Sequence, residues 1–294
     1  MKAIVYYSYG SPDVLELEEI QKPIPSDDEV LIQVHAASVN APDWRSLRAD
    51  PFFMRLTDGF LKPKNTMLGN DFAGRIEAVG RNVKQFQPGD EVFGDLYDCG
   101  LGAFAEYKSM PEEGALALKP ASLTFEEAAA VPSAAVTALQ GLRDKGQIQP
   151  GQKVLINGAS GGIGTFAVQI AKSFGAEVTG VCSTRNVDMV RSIGADQVID
   201  YTQEDFTRSG QHYDLILDIV ANCSISDYMR ALNPKGNYVA VAFNPSSLFL
   251  GSLISKTEGK KVGSLSHKPN DKDLVFMKEL LEAGKVVPLS LIHI

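Results

Sequence analysis

The sequence predicts a mixed α/β chain of two domains, an antiparallel β-rich part and a doubly wound parallel sheet. Three observations carry this. Up to about residue 120, short apolar stretches alternate with Gly and Pro punctuation, the texture of barrels and sandwiches. From Lys153 onward, strand-like and helix-like segments alternate, which means parallel strands covered on both faces. At the first of these crossovers, "VLINGASGGIG" puts four glycines between a strand and a helix.

The elements follow in order. "EVLIQVHAASV" alternates with period two, placing Val30, Ile32 and Val34 on one side. "GRIEAVG", "GDEVFG" and "GAFAEYKSM" read as further short strands, and "QPGDE" as a turn. "SLTFEEAAAVPSAAVTALQGL" is alanine-rich and predicts a helix, capped by Ser122 or Thr124 with Glu126 and Glu127 in its first turn. "KVLIN" is a buried strand. The helix after it carries Ile163, Phe166, Ala167, Ile170 and Phe174 on one stripe and stops at Gly175. "EVTGVC", "QVID", "YDLILDIV" and "NYVAVAF" are the next strands, with "VDMVRSIG" and "SDYMRALNPKG" as helical segments between them. A last helix starts at Asn270, carries Leu274, Met277 and Leu281, and ends at Gly284.

With 44% apolar and 22% charged residues, the 294-residue chain reads as globular and soluble. A net charge of −8 argues against a broad nucleic-acid footprint. "MKAIVYYSYG" lacks the apolar core of a signal peptide, and "SSLFLGSLIS" is too short to span a membrane. Cys99, Cys182 and Cys223 form no disulfide framework, which fits a reducing compartment. A cytoplasmic protein without membrane or nucleic-acid partners is expected.

Ala159, Gly161 and Gly164 fill the three fingerprint positions of a dinucleotide-binding turn, with Ser160, Gly162 and Ile163 between them. A pyrophosphate at a helix N-terminus needs bare backbone at Gly161, and Gly164 lets the helix approach the strand. A tight turn without a ligand is the competing reading. The strand–loop–helix–strand context favours binding. Ser183 lies 19 residues after Gly164, where an acid would grip the ribose 2′-hydroxyl of NAD. The chain has Ser183, Thr184 and Arg185 there, which suits a 2′-phosphate.

These features, with "SYGSPDVLELEEI", "SVNAPDWRSLRA", "GNDFAGRIEAVGRNVKQFQPGDEVFG", "GAFAEY", "AAAVPSAAVTAL" and "GADQVIDYT", give the chain a family likeness. It resembles the zinc-independent quinone oxidoreductase (zeta-crystallin-like) branch of the medium-chain dehydrogenase/reductase superfamily. The resemblance implies a GroES-like β-barrel domain from residues 1–122 and 266–294 and a Rossmann NADP-binding domain from residues 123–265, with the active site in the cleft between them. It implies NADPH as cofactor, and it adds to the expectation of a homodimer through the sheet edge that "KVGSLS" would leave for a partner's strand. It places Tyr201 near the 2′-phosphate, Thr137 toward the nicotinamide, and Ala242, Phe243 and Asn244 beside the nicotinamide ring. Relatives continue past "GKVVP" with another helix and strand, whereas this chain ends in "LSLIHI", so a shortened C-terminal part of the first domain is expected.

Zinc-dependent relatives place a cysteine within the Asn40–Asp43 stretch, a His-Glu pair at Asn70 and Asp71, and a four-cysteine lobe where this chain has only Cys99. A structural zinc site therefore lacks its ligands. His35 reads as a packing histidine, and Cys182 and Cys223 as small buried hydrophobes. Without zinc, hydride transfer to a quinone or an α,β-unsaturated carbonyl is the accessible chemistry, because charge spreads onto the acceptor oxygen. Asn40 is a candidate donor to that oxygen, Asp43 a candidate for holding its loop, and Trp44 an apolar wall. The competing roles are a turn at Asn40 and a helix cap at Asp43. Residues 42–64 read equally as a lid or as packed helix and loop. A zinc-free alcohol dehydrogenase, an enoyl reductase and a non-catalytic NADPH-binding protein remain as alternatives.

Overall fold

The computed structural model describes residues 1–241 and 259–289, and these form two compact units. The first comprises Met1–Ser133 and Pro269–Glu282; the second comprises Ala134–Lys268 and the residues from Ala283 on.

The first unit is built on a curled antiparallel sheet. Strands β1 (Lys2–Val5) and β2 (Glu16–Glu19) pair as a two-stranded ribbon. The five-stranded sheet has the order β6-β3-β4-β5-β7, from β3 (Glu29–Ala37), β4 (Asp71–Val79), β5 (Glu91–Asp95), β6 (Tyr107–Pro111) and β7 (Ala115–Leu118). Single bridges from Ala3 to Ala105 and from Val5 to Met67 link the ribbon to neighbouring segments. Val30, Ile32, Phe72, Ile76, Val92 and Met110 meet as the core, so the period-two pattern of β3 does turn its apolar set inward. Two short helices lie between β3 and β4, α1 (Ala41–Arg48) and α2 (Arg55–Asp58).

The alanine-rich stretch is two helices, α3 (Phe125–Ala129) and α4 (Pro132–Leu139). Pro132 has no N–H to continue the first and suits the start of the second. Thr124 is the residue that caps α3, accepting from Glu127 N while the Glu127 carboxylate accepts from Thr124 N.

The second unit holds a six-stranded parallel sheet in the order β10-β9-β8-β11-β12-β13. Its strands are β8 (Lys153–Asn157), β9 (Glu177–Cys182), β10 (Gln197–Asp200), β11 (Tyr213–Asp218), β12 (Leu232–Ala240) and β13 (Lys261–Ser264). Counted from β8, this is 3-2-1-4-5-6, the doubly wound dinucleotide-binding order. The crossovers are α5 (Gly162–Ser173), α6 (Val187–Ser192) and α7 (Ile225–Ala231). The expected turn after α7 lies inside β12, where Lys235 has φ 67° and the pairing with β11 shifts register. Helix α5 is buried on more than its apolar stripe, from Gly164 to Ala171. Its buried Gln169 is satisfied by the backbone of Val287, donating to the carbonyl at 3.0 Å and accepting from the N–H at 2.8 Å. The last helix, α8 (Asp271–Glu282), is capped as expected, with the Asn270 side chain accepting from Asp273 N at 2.8 Å.

Candidate functional site

The glycine loop leaves β8 at Asn157 and turns through Gly158 at φ 92°, a left-handed conformation that glycine adopts without strain. Gly158 N and Ala159 N both donate to Val181 O, which ties the loop to β9. The two fingerprint glycines differ in kind. A Cβ on Gly164 would collide with the Gly158 carbonyl and crowd the Ala159 backbone, so glycine there is a packing requirement. A Cβ on Gly161 would meet only Gly158 O, at an ordinary 3.5 Å. The protein itself therefore has room for a side chain at Gly161, and bare backbone there serves something outside the chain. Gly161 is the N-cap of α5 and no side chain caps it, so its first-turn N–H groups have no intrahelical acceptor. Gly161 and Gly162 are exposed and Ala159 is buried. The loop fits a pyrophosphate.

Below the loop lies a polar cluster that the sequence reading missed. Asn157 Nδ2 is 2.9 Å from Asp218 Oδ1, Asn222 Oδ1 and Tyr228 Oη, and Tyr238 Oη donates to Asp218 Oδ2 at 2.7 Å. It fastens the ends of β8 and β11, from which the loop rises. Burial beside Asp218 raises the Tyr228 hydroxyl far above the usual tyrosine range, so it stays protonated.

At the end of β9, Tyr201 N donates to Cys182 O at 3.1 Å, which sets the Tyr201 backbone beside Ser183, and Arg185 lies in the turn that follows, closed by Asn186 N on Ser183 O at 2.9 Å. Arg185 is exposed and has no ion pair among the described residues; Tyr201 is also exposed. Thr184 is placed differently. Its hydroxyl donates at 2.6 Å to Asp200, the residue beside Cys182 on β10. That bond, with two more from Thr202, holds the Asp200 carboxyl below its ordinary value. A carboxylate thus stands next to the acid-free strand end, contributed by the neighbouring strand. Thr137 is buried, its Oγ1 3.2 Å from His267 Nδ1. Ala242, Phe243 and Asn244 lie outside the described residues.

In the first unit, Asn40 and Asp43 form a reciprocal cap on α1. Asp43 Oδ2 accepts from Asn40 N at 2.7 Å and its Oδ1 from Gly69 N at 3.0 Å. Asn40 Nδ2 donates to Ser38 Oγ at 3.0 Å and to Asp71 Oδ2 at 3.1 Å. Both amide hydrogens are engaged, so the expected donation to a substrate oxygen has no free N–H in this arrangement. Burial raises the Asp43 carboxyl, and its backbone donors oppose the shift. Trp44 is 41% exposed, with the Arg45 guanidinium 5.4 Å from its ring centroid.

Asp71 and Asp95 are both buried and sit opposite each other on β4 and β5. Ser133 Oγ lies 2.5 Å from Asp71 Oδ1 and 3.1 Å from Asp95 Oδ2, and Ser133 N donates to Asp71 Oδ2 at 3.0 Å. One hydroxyl hydrogen cannot serve two carboxylates. Burial, then the neighbouring Asp95 charge, push the Asp71 carboxyl well above its ordinary value.

His35 is exposed and stacks on Phe125 at 4.3 Å. Cys182 is buried, whereas Cys223 is only half-buried, because it packs on the Tyr228 cluster while lining a surface pocket with Asn222 and Ser224. No group of three His, Cys, Asp or Glu side chains among the described residues is arranged to hold a metal ion. The first unit also holds a half-open cavity of about 720 Å³ lined by residues of α1, of the Met54–Lys64 stretch and of the loops around Asn70 and Tyr97. Residues 42–64 thus form helices and turns along that wall.

A GroES-like domain joined to a 3-2-1-4-5-6 sheet with a pyrophosphate loop defines the architecture of a dinucleotide-dependent dehydrogenase or reductase. The chain belongs to the quinone oxidoreductase branch of the medium-chain dehydrogenase/reductase superfamily. Residues 26–120 match the alcohol dehydrogenase GroES-like domain, and residues 162–280 match the zinc-binding dehydrogenase family. The chain is 32% identical to the chloroplast envelope quinone oxidoreductase homolog of Arabidopsis thaliana, over 97% of this chain and 88% of that one. It is 41% identical to 2-methylene-furan-3-one reductase of Solanum lycopersicum, over 75% of this chain and 57% of that protein. It is 36% identical to the chloroplastic NADPH-dependent alkenal/one oxidoreductase of Arabidopsis thaliana, over 82% of this chain and 62% of that protein. The solved quinone oxidoreductase of Coxiella burnetii superposes with a TM-score of 0.85 at 29% identity, covering 97% of this chain and 88% of the other.

The two glycines separate stability from binding. Gly164→Ala is expected to destabilise the second unit by roughly 3 kcal/mol through overpacking. Gly161→Val changes Tm by no more than about 2 °C and weakens NADH and NADPH alike. Calorimetry with cofactor titration checks this; unaltered cofactor affinity in Gly161→Val would refute the cradle.

The carboxyl pair gives a pH signature. A raised folded-state carboxyl contributes stability below its unfolded value and loses it as pH climbs above about 4. Asp95→Asn removes the like charge, so its stability relative to the parent is expected to grow between pH 4 and 8, by on the order of 1 kcal/mol. Parallel melting curves across that range would contradict the coupling.

Proposed function

We propose that this chain is an NADPH-dependent reductase that delivers hydride to a quinone or an α,β-unsaturated carbonyl without a catalytic metal. The observation carrying the reading is the bare, uncapped Gly161 cradle, in a chain whose relatives are named for quinone and alkenal/one reduction. When bound, reduced nicotinamide supplies a hydride to the electron-poor carbon of the acceptor; the acceptor's π electrons move to its oxygen, and water supplies the proton. The chain's own part is binding and positioning. The Gly161–Gly164 backbone holds the pyrophosphate, and Asn157 with Asp218 keeps the loop's footing fixed. Ser183, Arg185 and Tyr201 receive the 2′-phosphate. Thr184 supports that site through Asp200 and does not reach the ligand itself.

NADPH preference is expected to rest on Arg185, because no carboxylate occupies the end of β9 and this guanidinium is unpaired among the described residues. A charge-assisted hydrogen bond is worth roughly 1.5–3 kcal/mol, so Arg185→Ala should weaken NADPH about 10- to 150-fold. NADH affinity should barely change. Equal weakening of both cofactors would assign Arg185 to the solvent.

Zinc independence rests on the donor set. The residues where zinc relatives carry ligands are Asn40–Asp43, Asn70 and Asp71, and the carboxylates of Asp43 and Asp71 are already engaged by protein donors. Homodimerisation is proposed through β13, one of the sheet's two edges among the described strands. One chelator-treated preparation tests both. Metal well below one per chain with turnover retained, and a two-chain mass by light scattering, are expected. Activity lost with stoichiometric zinc, or a single-chain mass, defeats the respective proposal.

A further inference from the structure

Asn70 is the one buried side chain of the first unit's cavity whose amide the fold leaves unused. It is 1% exposed, and neither Nδ2 nor Oδ1 has a hydrogen-bond partner among the described residues. Its backbone is employed, the carbonyl accepting from Leu96 N at 2.8 Å and the N–H donating to the Asp43 carboxyl. A buried amide left without partners weakens a fold, so the residue does not stand there for stability.

Asn70 lines the cavity of about 720 Å³ with Tyr6, Pro42, Arg45, Met54 and Tyr97, and every lining residue belongs to the first unit. That volume lies within the range of small-molecule sites. Most of the lining side chains are polar, Asp58 and Lys64 among them, and Pro42, Met54 and Leu101 supply the apolar surface. The Tyr6 hydroxyl is pushed up to about 12 by burial and stays a neutral donor. Arg45 has no ion pair among the described residues, only the Trp44 face.

The ligand chemistry follows from the donor. Asn40 has given both amide hydrogens to Ser38 and Asp71, while Asn70 has given neither. An uncommitted amide N–H suits a carbonyl oxygen, and suits it better as that oxygen gains charge. We propose that the Asn70 amide holds the carbonyl oxygen of a quinone or enone acceptor in this cavity, a role that rests on the reductase reading above.

The test uses the full chain and Asn70→Leu, a change of similar volume that removes both orphan atoms. Tm without ligand is expected to hold or rise. kcat/KM with NADPH should fall 10- to 100-fold for both duroquinone and hex-2-enal, with NADPH affinity within twofold of the parent. The thermal shift that duroquinone alone gives the parent should vanish. An intact fold with unchanged kcat/KM and an unchanged duroquinone shift overturns the proposal. If Asn70→Leu does not fold, Asn70→Ser, which keeps a donor, is compared with Asn70→Ala; equal losses overturn it as well. Should the parent oxidise NADPH with neither acceptor, the reductase reading falls. The duroquinone shift then decides the cavity by itself: present in the parent and lost in Asn70→Leu supports the Asn70 assignment, and absent in the parent refutes it.

Discussion

The second unit depends on how closely α5 can approach the end of β8. Only a residue without Cβ fits at position 164, because the Gly158 carbonyl occupies the space. That approach fixes the direction of the helix and therefore where its unpaired N–H groups point. The bonds from Gly158 and Ala159 to Val181 hold the turn from the other side. Gly180 belongs to the same arrangement, since a Cβ there would press on Ala159 and Val190. Four small residues, Gly158 and Ala159 in the loop, Gly164 on α5 and Gly180 on β9, thus set the geometry of one turn.

The two units treat negative charge in opposite ways. In the first, two buried carboxyls face one serine hydroxyl, and Asp71 responds by holding its proton more tightly. In the second, Asp200 lies at the surface, collects three hydrogen bonds from Thr184 and Thr202, and is kept ionised. Burial decides the first case and hydrogen bonding the second. The break at Pro132 contributes to the former, because restarting the helix there frees Ser133 N to reach Asp71.

Much of this was legible in the sequence. The parallel sheet, the glycine turn and the caps at Thr124 and Asn270 are local patterns, set by residues a few positions apart. The hydrogen-bond partners of Asn40 and Thr184 were not legible, because they lie far away along the chain. Asp71 lies 31 residues from Asn40, and Asp200 lies 16 from Thr184. The Asn157–Asp218–Tyr228 cluster and the orphan amide of Asn70 were hidden for the same reason. A faint signal existed for the first: polar residues closing the apolar strands "KVLIN" and "YDLILD" at equivalent ends.

The wall of the first unit's cavity is made partly of very short pieces, an eight-residue helix, a three-residue turn and the four-residue α2. Helices of that length do not sustain themselves and lean on their surroundings. The sheet core, with Ile32, Phe72 and Ile76, takes no part in lining that cavity. Mutations in the Met54–Lys64 segment can therefore reshape the cavity without touching the packing that the fold relies on. Ligand range in such a protein is free to drift over evolutionary time while its two sheets stay as they are.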